Sequence, residues 1–150
     1  MSEDLAGSPR LRKTFSPKSR VQLSTGLPGL DEILRGLMPG DNLVWQVGKV
    51  EHYLPFAQAL CRYAHQHQQR CIYFRFATHP PLLEPTAGAE ICQLQPDAGF
   101  ENFLSAVHRR INQVGRGGLF VFDCLSDLAA DWCSDRMLGN FFMLTCPYLY

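Results

Sequence analysis

Leu119-Phe120-Val121-Phe122-Asp123, followed at once by Cys124-Leu125-Ser126, decides the fold class. Four apolar residues ending on one acidic residue read as a strand buried on both faces, the kind that parallel sheets contain. A parallel neighbour requires a long crossover, usually a helix. The residues just before supply one. Phe100, Phe103, Leu104, Val107, Ile111 and Val114 recur at helical spacing, and Gly115, Gly117 and Gly118 end the run.

Working outward toward the N-terminus, the same alternation recurs. Cys71-Ile72-Tyr73-Phe74-Arg75-Phe76 reads as a strand, and residues 91–94 as a short one. Between those two, His79-Pro80-Pro81 opens a loop that runs to Gly88, because consecutive prolines cannot donate to a ladder. Tyr53, Phe56, Ala57, Leu60, Cys61 and Ala64 fall on one helical face. Leu43-Val44-Trp45-Gln46-Val47 reads as a first buried strand, reached through the turn Pro39-Gly40-Asp41. Ahead of it, Ser24 or Thr25 is placed to cap a short helix with Pro28 in its first turn. Leu27, Leu30, Ile33 and Leu34 give that helix an apolar face, and Gly36 gives it a left-handed end. The order is helix, strand, helix, strand, strand, helix, strand. It predicts an α/β domain with a mainly parallel sheet and helices on both faces.

The totals fit one such domain. The chain has 150 residues, 46% hydrophobic and 19% charged, with 14 basic and 14 acidic side chains and no formal net charge. A neutral chain gives no broad electrostatic case for nucleic acid or an anionic membrane, so neither is expected as a partner. No apolar run reaches the ~18–20 residues of a membrane span, and no apolar leader marks a secretory signal. Residues 1–20, rich in Ser, Pro and charge, read as a disordered leader. The six cysteines form no CxxC pair. They imply free thiols in a reducing cytoplasm, with no zinc or other metal.

Beyond strand 119–123, Ser134 is placed to cap a helix over residues 135–145 that Pro147 interrupts. Phe141, Phe142, Met143, Leu144, Tyr148, Leu149 and Tyr150 make this end too apolar for an exposed tail. The expectation is a domain truncated at its C-terminus, with more strands in a longer parent.

Three segments together resemble the KaiC branch of the RecA-like P-loop ATPases. They are Ser24-Thr25-Gly26-Leu27-Pro28-Gly29-Leu30-Asp31-Glu32-Ile33-Leu34 with its following turn, Ile72-Tyr73-Phe74-Arg75-Phe76, and Leu119-Phe120-Val121-Phe122-Asp123-Cys124-Leu125-Ser126. The last matches the family's Walker B segment. The resemblance covers about residues 21–130 and implies a RecA-like fold. The departure concerns the phosphate-binding loop, GxxxxGK[ST], whose glycines and lysine wrap a nucleotide's phosphates. Here the stretch is Val47-Gly48-Lys49-Val50-Glu51-His52-Tyr53-Leu54-Pro55. In register, the family's GKT falls on His52, Tyr53 and Leu54. The family's catalytic glutamate falls near Ala77 or Thr78. Both losses imply a module that does not hydrolyse ATP.

Two residues remain as candidate nucleotide ligands. Lys49 follows Gly48 but sits about four residues early, and a surface lysine of the loop is the competing reading. Asp123 holds magnesium through water in the family; here it is read in preference as an inherited aspartate capping the next turn through Ser126 or nearby amides. The run from the Leu-Pro-Gly-Leu-Asp opening through Asp131 and Trp132 is also similar to the N-terminal module of bacterial phosphoenolpyruvate synthase-like (PEP/pyruvate-binding) proteins. That similarity implies an accessory or regulatory module whose partners are downstream domains, another protein or a second copy. No cofactor is expected for this part. ATP and magnesium belong to the parent, which on the alternative reading is an ATP-dependent phosphotransferase. A nucleotide sensor with a rebuilt phosphate site is a further alternative.

Other residues are weighed against blander roles. Asp123, Asp127, Asp131 and Asp135 recur every four residues and would share a face on a helix. Trp132 is either a partner anchor or core. Cys124 has no evident base beside it and reads as packing, and His79 and His108 have no evident partner.

Overall fold

The computed structural model describes residues 23–84 and 88–149. The expected leader over residues 1–20 lies outside them, as do residues 85–87 of the proline loop. Three parallel strands form the sheet: β1 (Cys71–Arg75), β2 (Glu90–Gln93) and β3 (Leu119–Asp123), in the order β2-β1-β3. Tyr73 stands opposite Ile91 on one side and Val121 on the other. The central strand is the most apolar, with Cys71, Ile72, Tyr73 and Phe74 all buried.

Strand alternation then sorts the helices. Cys71, Tyr73 and Val121 pack with Ala57, Cys61 and Ala64 of α2 (Leu54–Gln66). Ile72 and Phe74 pack on the other face with Phe103, Val107 and Ile111 of α3 (Phe100–Val114). The same second cluster takes in Leu128 of α4 (Leu125–Trp132) and Phe141 of α5 (Asp135–Thr145). Helices therefore cover both faces of a parallel sheet, and the chain is an α/β protein.

The N-terminal third departs from expectation. Residues 43–47 form no strand. Leu43 and Val44 are exposed, Val44 at 74%, and only Trp45 is anchored, its ring stacked 4.1 Å from Phe56. A strand exists by pairing, and β3, at the sheet's edge, takes no partner from this segment. The short helix does form, as α1 (Pro28–Leu34), with Pro28 at its start. Its expected apolar face does not: Ile33 is 78% exposed. The left-handed end falls on Arg35 before Gly36, with φ values of 59° and 85°.

What holds this segment is a polar knot. Ser24 and Thr25 do not cap α1 through their own hydroxyls. Instead the Asp31 carboxylate accepts from the Ser24 hydroxyl, from the Thr25 amide at 2.8 Å and from the Thr25 hydroxyl at 2.7 Å. Burial opposes charge on Asp31, but these bonds outweigh it and hold its pKa below the ordinary 3.8. A lowered folded pKa stabilises the fold above the ordinary value and ceases to as pH falls through the lowered one. Wild type should therefore melt above Asp31→Asn at neutral pH, and the gap should close as pH drops below 3.8. Thermal melts of both across that range check it.

The C-terminal part follows its local signals. Ser134 accepts from the Met137 amide and starts α5 where expected. Pro147 falls in a final tight turn, Cys146–Leu149. Phe141 is 1% exposed, whereas Phe142, Met143, Leu144 and Tyr148 are exposed. No helix among the described residues is long and apolar enough to cross a membrane.

Candidate functional site

Ligand sites of open α/β sheets lie beyond the carboxyl ends of the strands. There β1 runs on through Phe76-Ala77-Thr78-His79, and β3 through Asp123 into Cys124. The amides of Phe76 and Ala77 both donate to the Asp123 carbonyl, at 2.8 and 3.0 Å, so the two strand ends leave the sheet together. The Asp123–Cys124 peptide bond is cis.

Asp123 is 1% exposed. The expected cap of the next turn, through Ser126 or nearby amides, is not formed by its side chain. Its Oδ1 lies 2.9 Å from Nε2 of His79, a residue for which the sequence offers no evident partner. His79 Nδ1 lies 2.8 Å from the Pro80 carbonyl. Burial works against charge on this ring, but the bonds to Pro80 and Asp123 outweigh it and raise its pKa above the ordinary value. The other carboxylate oxygen, Asp123 Oδ2, is buried with no hydrogen-bond partner. So is the hydroxyl of Tyr73, whose pKa burial raises and the nearby Asp123 charge raises further.

Cys124 completes the cluster. Its sulfur, an Asp123 carboxylate oxygen and a His79 ring nitrogen lie within 4.8 Å of one another. His79, brought from 45 residues away, is thus a neighbour of Cys124 that the sequence does not reveal, but both its ring nitrogens are engaged by Pro80 and Asp123. Burial, with the charges of Asp127 and Asp123 behind it, raises the thiol's pKa, so it is no activated nucleophile. Asp127 is held by Thr78, whose amide and hydroxyl donate to Oδ2 at 2.6 and 2.9 Å. Those bonds, the amide's first, lower the Asp127 pKa. Thr78 is therefore a donor that positions Asp127. Arg75 donates to the His79 carbonyl and, at 3.4 Å, to Gln93.

The four-residue acidic row breaks up. Asp127 and Asp131 share α4, while Asp123 ends β3 and Asp135 begins α5. Trp132 packs edge-on against Phe100, Phe103 and Phe141 and belongs to the core. His108 stacks on Tyr148 at 3.9 Å.

Lys49 is exposed, just before the tight turn Val50–His52. Among the described residues no hydrogen bond or ion pair joins it to Asp123. Of His52, Tyr53 and Leu54, His52 is exposed, whereas Tyr53 and Leu54 are half-buried and pack against the cluster of Ala57, Cys61 and Tyr73. Burial raises the Tyr53 pKa, and the Asp123 charge adds to it.

Against this geometry, no known protein-family profile and no curated protein matches the chain.

Proposed function

We propose that this chain is a RecA/KaiC-like module that does not hydrolyse ATP and serves as an accessory or regulatory domain. One observation carries the reading. Tyr53, aligned with the phosphate-binding lysine, is half-buried and packs against the core cluster of Ala57, Cys61 and Tyr73. A P-loop works because bare backbone amides and a lysine surround the phosphates. An aromatic ring there fills the space and supplies no positive charge. Asp123, aligned with the magnesium-holding aspartate, is engaged by His79. A RecA-like domain without that chemistry retains its surfaces. Here Ile33, Met38 and Val44 at one end, and Met143 and Tyr148 at the other, are exposed apolar side chains suited to another domain or another protein.

Incubation with Mg-ATP should release no phosphate above the buffer rate. Release that disappears in Asp123→Asn would refute the reading.

A further inference from the structure

We propose that His79, Asp123 and Cys124 form a binding site for one tetrahedral divalent transition-metal ion of the zinc class, held directly on the protein without a nucleotide.

The donor set points there. An imidazole nitrogen, a carboxylate oxygen and a thiol sulfur, all within 4.8 Å of one another, suit zinc or cobalt and not magnesium or calcium, which take oxygen. Donors around a tetrahedral ion, with bonds of about 2.0–2.3 Å, stand about 3.3–3.8 Å apart. The His79–Asp123 pair at 2.9 Å needs to open slightly, and the sulfur to draw in.

The second sign is independent of that spacing. Asp123 Oδ2 is buried without a partner. A buried carboxylate oxygen with nothing to accept from costs free energy, and such an orphan calls for a bound group. The Tyr73 hydroxyl adjoins the same carboxylate and interacts with it closely enough to have its own pKa raised, so a bound ion would compete with it for Asp123.

The surroundings are those of a ligating histidine. Nδ1–H is given to the Pro80 carbonyl, so Nε2 is the nitrogen left for the ion, which would displace the proton that Nε2 shares with Asp123. The Asp127 carboxylate is held by Thr78 and also touches the Cys124 thiol, a contact that the ion would replace. Three protein ligands leave a fourth position for water or an incoming group, the pattern of open zinc sites. The charges balance: a 2+ ion meets one carboxylate and one thiolate. Arg75, fixed on the His79 carbonyl, is the nearby cation. The edge of His79, with its side chain 15% exposed, gives the ion a way in.

The test is a titration of Co²⁺ into the full chain after chelator treatment, with no nucleotide present, so its outcome is independent of the ATPase reading. One equivalent should bind and give the visible bands of tetrahedral cobalt together with a near-ultraviolet thiolate-to-cobalt band. Zn²⁺ should bleach both and raise the melting temperature. Cys124→Ser should abolish the thiolate band and weaken affinity about tenfold or more, as should His79→Gln for affinity. Cys133→Ser, which removes an exposed thiol, should change nothing. His79→Gln alters a partly exposed side chain, so it tests the site even if Asp123 variants fail to fold. No tetrahedral spectrum, or a thiolate band that survives Cys124→Ser, overturns the proposal.

Discussion

Phe141→Ala is expected to lower the unfolding free energy by about 3–5 kcal/mol, the ordinary cost of truncating a fully buried phenylalanine. Phe141 is 1% exposed and stands at the centre of an aromatic cluster. Its ring centroid lies 5.7 Å from Phe122 on β3, and 5.9 Å from both Phe103 on α3 and Trp132 on α4. One side chain therefore ties α5 to the sheet and to two other helices. Urea denaturation of the variant and the wild type measures the difference. A loss below about 1 kcal/mol would mean that α5 is not part of the core. Phe142→Ala, at an exposed neighbour, is the matched control and should cost far less.

Gly26→Ala should destabilise by about 2–5 kcal/mol, for two additive reasons. Gly26 has φ of +82°, where a Cβ costs about 1–2 kcal/mol. That Cβ would also stand far inside contact distance of the Ala59 backbone carbonyl on α2, and overpacking costs about 1–3 kcal/mol more. Backbone cannot turn aside as a flexible side chain can. Gly29→Ala, with nothing near its built Cβ, should be almost neutral by the same denaturation measurement. Equal losses at the two glycines would show that the N-terminal segment does not dock on α2 as described.

How much was legible in the sequence depended on whether the signal was local. Strand 119–123 and the faces of α2 and α3 were plain because burial on a strand or helix repeats along the chain itself. The Ser134 cap needs only Met137, three residues on. Residues 43–47 carry the same apolar signal as the true strands and form none, although β3 has an open edge, because a strand exists by pairing and apolarity alone does not encode which segments pair. The apolar residues of α1 misled likewise: the helix is held by Asp31 with Ser24 and Thr25, not by Ile33.

The site was half legible. Asp123 was singled out as a strand-terminal carboxylate, but its partner was not. His79 follows β1 and Asp123 ends β3, and what joins them is strand adjacency, with Arg75 opposite Asp123 in the β1–β3 register. The available signal was that two strand ends side by side carry a histidine four residues past Arg75 and a Cys next to Asp123. The Gly48-Lys49 pair is a weak local signal, and Lys49 is exposed with no hydrogen bond or ion pair to Asp123 among the described residues.

The most direct test of the proposed loss of nucleotide chemistry is a calorimetric titration of Mg-ATP and of ADP into the full chain. On that proposal no binding heat is expected up to millimolar nucleotide. A micromolar midpoint, lost on Lys49→Ala or Asp123→Ala, would contradict that and make the chain a nucleotide sensor with a rebuilt phosphate site.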